Sequence, residues 1–156
     1  MPQGTVLGSL LFIIYINDIT EVVKNSSIKI FADDSKLQHN ISTSEDREKL
    51  QADLVAVIDW AKANNMELNE SKFELIHYGY DDSLKYVYTL PSGINITPSS
   101  TVRDLGILMD NELNFSDHYQ KMIKRLRSML DGSCGRLPTD QSMSFFSCTV
   151  ALSDRD

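Results

Sequence analysis

The sequence has few cysteines and no long apolar run, and each shortage excludes a class of protein. Only Cys134 and Cys148 occur among 156 residues, and two thiols make neither a disulfide framework nor a four-ligand zinc site. The one membrane-like stretch, TVLGSLLFIIYI at residues 5–16, is shorter than the roughly 20 apolar residues that span a bilayer. It also lacks the basic flank and the cleavage site of a signal peptide. We therefore expect a buried helix here, no membrane partner, and an intracellular location by default.

Positive charge is also scarce. The chain has 15 Lys and Arg against 22 Asp and Glu, which gives a formal net charge of −7. Proteins that bind nucleic acid on their own neutralise phosphates with Lys and Arg, so the charge argues against a free-standing nucleic-acid binder. It does not argue against a part of one, because the basic surface can lie on a neighbouring subdomain. An apolar fraction of 42% is enough for a folded core.

The spacing of apolar residues predicts an α+β fold with an antiparallel sheet. Helices are expected at residues 5–23, from 42–45 to 64–65, and at 116–130; strands are expected at 28–31, 35–41, 72–80, 85–90, 94–96 and 101–109. The middle helix opens with a capping signal, and its apolar stripe consists of Leu50, Leu54, Val57, Ile58 and Ala61. After residue 131 no periodicity is sustained.

The residues best suited to chemistry are Asp33 and Asp34, which follow Phe31 and Ala32 at the expected turn of a hairpin. Two adjacent carboxylates at a turn can project toward one divalent cation. Magnesium prefers oxygen ligands and commonly takes one or two protein carboxylates plus substrate phosphates, and a pair of such ions stabilises the attacking and leaving oxygens in phosphoryl transfer. Adjacent aspartates are also common in turns, so the pair by itself leaves a purely structural role open.

Four blocks in order place this pair in a wider pattern. They are PQGTVLGSLLFIIYINDI, FADDSKL, DLVAVIDWAKANNMELNESKFELI and VRDLGILMDNELNFSDHYQKMIKRLRSML. Together they resemble the reverse transcriptases of non-LTR (LINE-type) retrotransposons. The resemblance implies a partial polymerase palm at residues 1–115, with the Asp-Asp hairpin packed on helices, and the start of a thumb helix at 116–131. Residues 132–156 form an unassigned tail.

The resemblance also implies roles for individual positions. Gln3 and Gly4 match the motif B loop, which contacts the templating base and the incoming nucleotide. The two aspartates match motif C as catalytic metal ligands, the first of them the more direct, and Mg²⁺ is the implied cofactor. Lys72 matches the motif D lysine near the triphosphate, and Leu105 and Gly106 match the primer grip. The implied partners are an RNA template, a DNA primer and a dNTP.

The chain departs from the family pattern at its front. Only Met1 precedes motif B, so we expect neither the motif A aspartate nor the fingers, and we expect the isolated chain to be inactive. Because the motif A strand lies inside the family's palm sheet, we also expect the Asp-Asp hairpin to expose an unpaired strand edge and the fold to be marginally stable.

Two other readings compete with a polymerase segment. A non-catalytic, palm-derived binding or interaction module would bind RNA or protein without metal, and the net charge of −7 makes RNA the weaker choice. A phosphoacceptor receiver domain also pairs acidic residues at a strand end. It needs a Lys-Pro dipeptide that this sequence lacks, and its strands alternate with helices instead of clustering as hairpins.

Overall fold

A computed structural model of the chain describes residues 6–32, 34–78, 86–130 and 147–153. In chain order the elements are α1 (Val6–Asn17), α2 (Ile19–Val22), β1 (Ser27–Phe31), β2 (Asp34–Asn40), α3 (Ser44–Ala63), a 3₁₀ turn (Glu70–Lys72), β3 (Glu74–Tyr78), β4 (Tyr88–Thr89), β5 (Asn95–Ile96), β6 (Thr101–Asp104), β7 (Ile107–Asp110), α4 (Ser116–Leu130) and β8 (Ser147–Ser153). Helices combined with small antiparallel hairpins confirm the α+β class.

The largest sheet has four strands in the order β1-β2-β8-β3. Strands β1 and β2 form an antiparallel hairpin with Phe31 opposite Asp34. Strand β8 runs parallel to both of its neighbours, with Ser147 opposite Asp34 and Thr149 opposite Glu74. The expectation that the hairpin exposes an unpaired strand edge is wrong for β2, because β8 pairs with every residue of that strand. Among the described strands, β1 is the one that lies at the edge of the sheet on this side.

Helix α3 covers one face of this sheet. Its N-terminus is a capping box in which the Thr43 amide donates to the Asp46 carboxylate at 2.9 Å and the Asp46 amide donates to the Thr43 hydroxyl at 3.3 Å. Hydrogen bonding from the Thr43 side chain and the Ser42 backbone lowers the pKa of Asp46 to about 2. All five residues of the predicted apolar stripe are buried. Four of them, all except Ala61, pack with Leu37 of β2 and Leu75 of β3 in the main core.

The β6–β7 hairpin lies against the opposite face of the sheet. There Ile76 of β3 packs with Val102 of β6, and Tyr78 packs with Met109 of β7. Strand β3 is therefore buried on both faces, since Leu75 belongs to the main core and Ile76 to this smaller cluster. A single strand over residues 101–109 was expected, and that prediction is wrong because the chain reverses between β6 and β7.

Helix α1 is predominantly apolar, yet most of it faces outward. Its side chains at residues 7, 10, 11, 13 and 14 are between 45% and 63% exposed, whereas Ile16 is buried. Tyr15 fixes the helix to α3, because its hydroxyl donates to the Asn64 carbonyl and its ring centroid lies 6.1 Å from that of Trp60. The prediction of a buried helix over residues 5–23 is therefore wrong in burial and in length, since α1 ends at Asn17.

No helix in the described part of the chain is both long enough and apolar enough to cross a membrane.

Candidate active site

A cavity of about 220 Å³ lies between the β1–β2 hairpin and the β6–β7 hairpin. Asp34 and Lys36 line it from the first hairpin, and Arg103, Asp104 and Leu105 line it from the second. The structure thus brings one residue of the predicted metal site and one residue of the predicted primer grip to the same cavity.

The register of the first hairpin explains why its polar residues face this cavity. Residues paired across a hairpin share a face, and successive residues alternate between faces. Lys29 pairs with Lys36 and Phe31 pairs with Asp34, and all four line the cavity. Leu37, the residue that follows Lys36 in β2, lies in the core on the other face.

An ion pair joins the two hairpins at the cavity wall. The Lys36 ammonium lies 2.7 Å from the Asp104 carboxylate, and the two side chains are only 16% and 25% exposed. Because the pair is partly buried, dissolved ions screen its attraction less than they screen that of a surface pair. Asp104 is the last residue of β6 and directly precedes Leu105, so the ion pair holds the second turn beside the first.

Both turns at the cavity carry left-handed backbone at a residue with a side chain. Ala32 has φ +53° and Leu105 has φ +46°, and Gly106 follows at φ +86°. Positive φ at both central residues suits a two-residue hairpin loop. For a residue other than glycine, asparagine or aspartate, this backbone conformation costs roughly 1–2 kcal/mol of free energy. Backbone strain of this kind clusters at functional sites. The strain at Leu105 therefore makes it a candidate functional residue, because a turn without a function would favour glycine or asparagine at this position.

Relief of this strain gives a stability prediction. Asparagine tolerates left-handed backbone better than leucine does, and Leu105 is 56% exposed, so little packing is lost on substitution. We expect Leu105→Asn to raise the free energy of unfolding by about 1 kcal/mol in urea titration. Ile107→Asn is the control, because Ile107 is exposed but does not have a positive φ. This substitution should not stabilise the chain. An unchanged or lowered midpoint for Leu105→Asn would contradict the strained turn.

The donors described at the cavity fit a hard cation that also binds phosphate. Asp34 supplies carboxylate oxygen, and Lys29 and Arg103 supply positive charge nearby. Mg²⁺ commonly takes one or two protein carboxylates and completes its shell with water and substrate phosphates. Asp33, Gln3 and Gly4 lie outside the described residues. Within the residues described, no three or more His, Cys, Asp or Glu side chains come together as a metal site.

Lys72 does not line the cavity. It is the last residue of the 3₁₀ turn, one residue before β3 begins, and its backbone amide donates to the Asn69 carbonyl at 3.0 Å. The register still relates it to the site, because Thr149 of β8 pairs with both Lys36 and Glu74. Strands β2 and β3 run parallel and therefore begin at the same end of the sheet. Asp34 and Lys72 both lie at that end.

Two residues without a predicted role connect β7 to helix α4. The Asp110 carboxylate accepts hydrogen bonds from the backbone amides of Glu112, Asn114 and Phe115 at 3.1, 2.9 and 3.0 Å. His118 Nδ1 accepts from the Leu108 amide at 3.2 Å. The sequence carries one signal for Asp110, since aspartate after a strand commonly bonds the backbone of a following turn.

Asp53 is a third residue that the sequence reasoning passed over. It is 3% exposed within the apolar face of α3, and its carboxylate accepts from the backbone amides of Lys24, Asn25 and Ser26 at 3.1, 2.9 and 2.7 Å. These bonds fix the loop that leads into β1, and so they position the hairpin that carries Asp34. An acidic residue three positions after Leu50 in an apolar stripe was the available signal.

Helix α4 has one apolar and one basic side, and both are exposed. The apolar side chains at Tyr119, Met122, Ile123, Leu126 and Met129 are 45–64% exposed. The cations on its other side are Lys121, Lys124, Arg125 and Arg127, and they are exposed as well.

Comparison with known proteins identifies the family of the chain. The sequence model of the family described as reverse transcriptase (RNA-dependent DNA polymerase) matches residues 1–109. The chain is also similar to a probable RNA-directed DNA polymerase from transposon X-element of Drosophila melanogaster, with 29% identity over 136 residues, which cover 82% of this chain and 14% of that relative. No solved structure matches the chain significantly. The family match takes in more than half of the chain and includes both Asp34 and Leu105. The chain therefore belongs to the reverse transcriptase (RNA-dependent DNA polymerase) family.

Proposed function

We propose that this chain is a palm segment of the RNA-directed DNA polymerase of a non-LTR retrotransposon, and that primer end and catalytic metal meet in the cavity between its two hairpins. The observation that carries the proposal is that Asp34 and Leu105, from separate hairpins, line one cavity. Family membership supports the same function, as does the name of the Drosophila relative.

The residues have distinct roles in this proposal. Asp33 and Asp34 hold Mg²⁺, which when bound stabilises the negative charge of the reacting phosphates. Leu105 and Gly106 present backbone to the primer end. Arg103 offers a guanidinium on the same wall, suited to paired phosphate oxygens.

Three further residues complete the proposed nucleotide side. Gln3 and Gly4 contact the templating base and the incoming nucleotide. Lys72 lies at the same end of the sheet as Asp34 and serves as the charge partner of the triphosphate. RNA template, DNA primer and dNTP are the proposed partners.

We further propose that the isolated chain does not extend a primer. Two-metal transfer depends on carboxylates shared between the ions and on close positioning of charge, and the family resemblance implies a further carboxylate, that of motif A, beside the pair Asp33 and Asp34. The expected result is no template-directed incorporation of dNTP by pure chain with Mg²⁺. Incorporation that disappears in Asp33→Ala would contradict this proposal.

A photocrosslinking experiment tests the proposed site. A DNA primer with a photoreactive group at its 3′ end is annealed to RNA and mixed with the chain and Mg²⁺. We expect crosslinks in peptides from residues 29–36 and 103–107, lost with EDTA and lost in Asp33→Asn/Asp34→Asn. The control Asp59→Asn, at an exposed position of α3, should crosslink like the unchanged chain.

The exposed apolar side chains of α1 and α4 favour one alternative, a non-catalytic interaction module. Contiguous exposed apolar surface commonly marks a protein interface. Under this alternative, crosslinks would be absent or would persist without metal and lie away from both turns, and that outcome would refute the proposed active site.

A further inference from the structure

The centre of the four-stranded sheet is filled by a strand that lies beyond the family match. Strands β2 and β3 do not pair with each other; each pairs with β8 instead. On one side, all seven residues Ser147–Ser153 pair with Asp34–Asn40, and on the other Thr149–Ser153 pair with Glu74–Tyr78. The family match ends at residue 109, so both neighbours lie inside it and β8 lies outside it.

Without β8, these two neighbours would face each other across an open slot. Backbone N–H and C=O groups that are buried without partners cost free energy, and a strand edge is a template for any extended segment. Leu37 and Leu75 beside the slot are 1% and 0% exposed, so the unpaired backbone would lie next to the core. The slot therefore favours occupation by one extended segment that bonds on both sides.

The sequence of β8 suits such a slot. Residues 147–153 read SCTVALS and contain no charge and no proline. Val150, at the middle of the strand, pairs with Leu37 on one side and Leu75 on the other. Proline would remove a backbone donor, and a charge would be costly beside the core.

We propose that the slot between β2 and β3 is a strand-docking site whose ligand is an uncharged, extended peptide, and that residues 147–153 of the same molecule occupy it. Because Ser147 pairs with Asp34, the docked strand begins beside the candidate metal-binding carboxylate. Docking thus fixes the end of β2 from which that carboxylate projects. The docking itself does not depend on the proposed polymerase function.

Disulfide trapping in the full chain tests the docking directly. Cys148 pairs with Ser35, and directly paired positions on neighbouring strands lie within the Cα separation that a disulfide spans. In a Cys134→Ser background, Ser35→Cys should give a disulfide to Cys148 within one molecule under mild oxidation. Gln38→Cys, whose register partner is Ala151, should crosslink at least tenfold more slowly. A disulfide between two molecules, or equal rates for both variants, would overturn docking within one chain.

A proline variant gives an independent measurement. Val150→Pro should lower the hydrogen-exchange protection of amides in β2 and β3 at least tenfold, while amides of α3 stay protected and report that the chain is folded. Thr139→Pro, in the same C-terminal segment but before the strand, should leave protection unchanged. A synthetic peptide of residues 147–153 should restore protection to the Val150→Pro chain. Unchanged protection of β2 and β3 in Val150→Pro would overturn the proposal.

Discussion

Replacement of Asp53 by alanine is expected to lower the free energy of unfolding by about 3 kcal/mol, since a hydrogen bond to a charged group contributes roughly 1.5–3 kcal/mol and buried donors without a partner add a cost. Three backbone amides, those of Lys24, Asn25 and Ser26, donate to this one carboxylate. All three would lose their acceptor at a position where the residue is 3% exposed. Urea unfolding at pH 7 measures the change.

The same site predicts a dependence on pH. Burial opposes ionisation of Asp53, but hydrogen bonds from Ser26, Lys24 and Asn25 outweigh it and hold the pKa below its ordinary value. A carboxyl with a lowered folded pKa stabilises the chain above its unfolded pKa of about 4, and this stabilisation is lost as pH falls through the folded value. In Asp53→Asn this part of the acid dependence should disappear. Asp59→Asn, exposed on the same helix, should retain it.

If Asp53→Ala unfolds within about 0.5 kcal/mol of the unchanged chain, the range typical of surface substitutions, the loop before β1 is not held by this carboxylate. Contacts other than those of Asp53 would then position the β1–β2 hairpin.

The combined change Asp33→Asn/Asp34→Asn is expected to weaken Mn²⁺ binding at least tenfold, because even residues that only support metal ligands cost about 10–100-fold in affinity. Carboxylate oxygens are the ligands that hard divalent cations prefer, and a neutral amide replaces each of them. Titration of free Mn²⁺ by electron paramagnetic resonance measures the affinity, and Mg²⁺ should compete.

Asp117→Asn serves as the control for this experiment. It removes an exposed carboxylate at the start of α4, away from the cavity. If both variants bind Mn²⁺ like the unchanged chain, the ion binds elsewhere and the assignment of Asp33 and Asp34 fails.

The elements that the sequence predicted best are those with strong local signals. Helix α4 begins and ends where its periodicity indicated, and α3 buries the whole predicted stripe behind its capping box. The chain also turns between the strands expected at 85–90 and 94–96, with the Gly93 amide donating to the Leu90 carbonyl at 2.8 Å and Gly93 at φ +88°. Caps, stripes and glycine turns are encoded within a few residues, which is why one sequence suffices to find them.

Features that depend on distant residues were missed. The chain reverses at Leu105 and Gly106. Leu105 does not favour turns, so residues 101–109 looked like one strand. Strand β8 forms because β2 and β3 leave a slot between them, and no local pattern in residues 147–153 indicates that. The exposure of α1 depends on what packs around the helix, whereas its apolar composition indicated burial.

The candidate site was predicted in part for the same reason. The motifs in the sequence identified Asp34 and Leu105. Sequence alone could not show that the two residues line one cavity, because they lie on separate hairpins that an ion pair between Lys36 and Asp104 joins. Asp53 was missed because its partners lie in a loop 27–29 positions away.

Paramagnetic broadening of the amide NMR signals by Mn²⁺ tests most directly whether the two hairpin turns form one metal site. Added below one equivalent, Mn²⁺ should broaden residues 30–36 and 103–107 together. Excess Mg²⁺ should restore the signals, and Asp33→Asn/Asp34→Asn should show no broadening in either group. Broadening confined to one hairpin, or centred on acidic residues elsewhere such as Glu45 and Asp46, would contradict a single metal site.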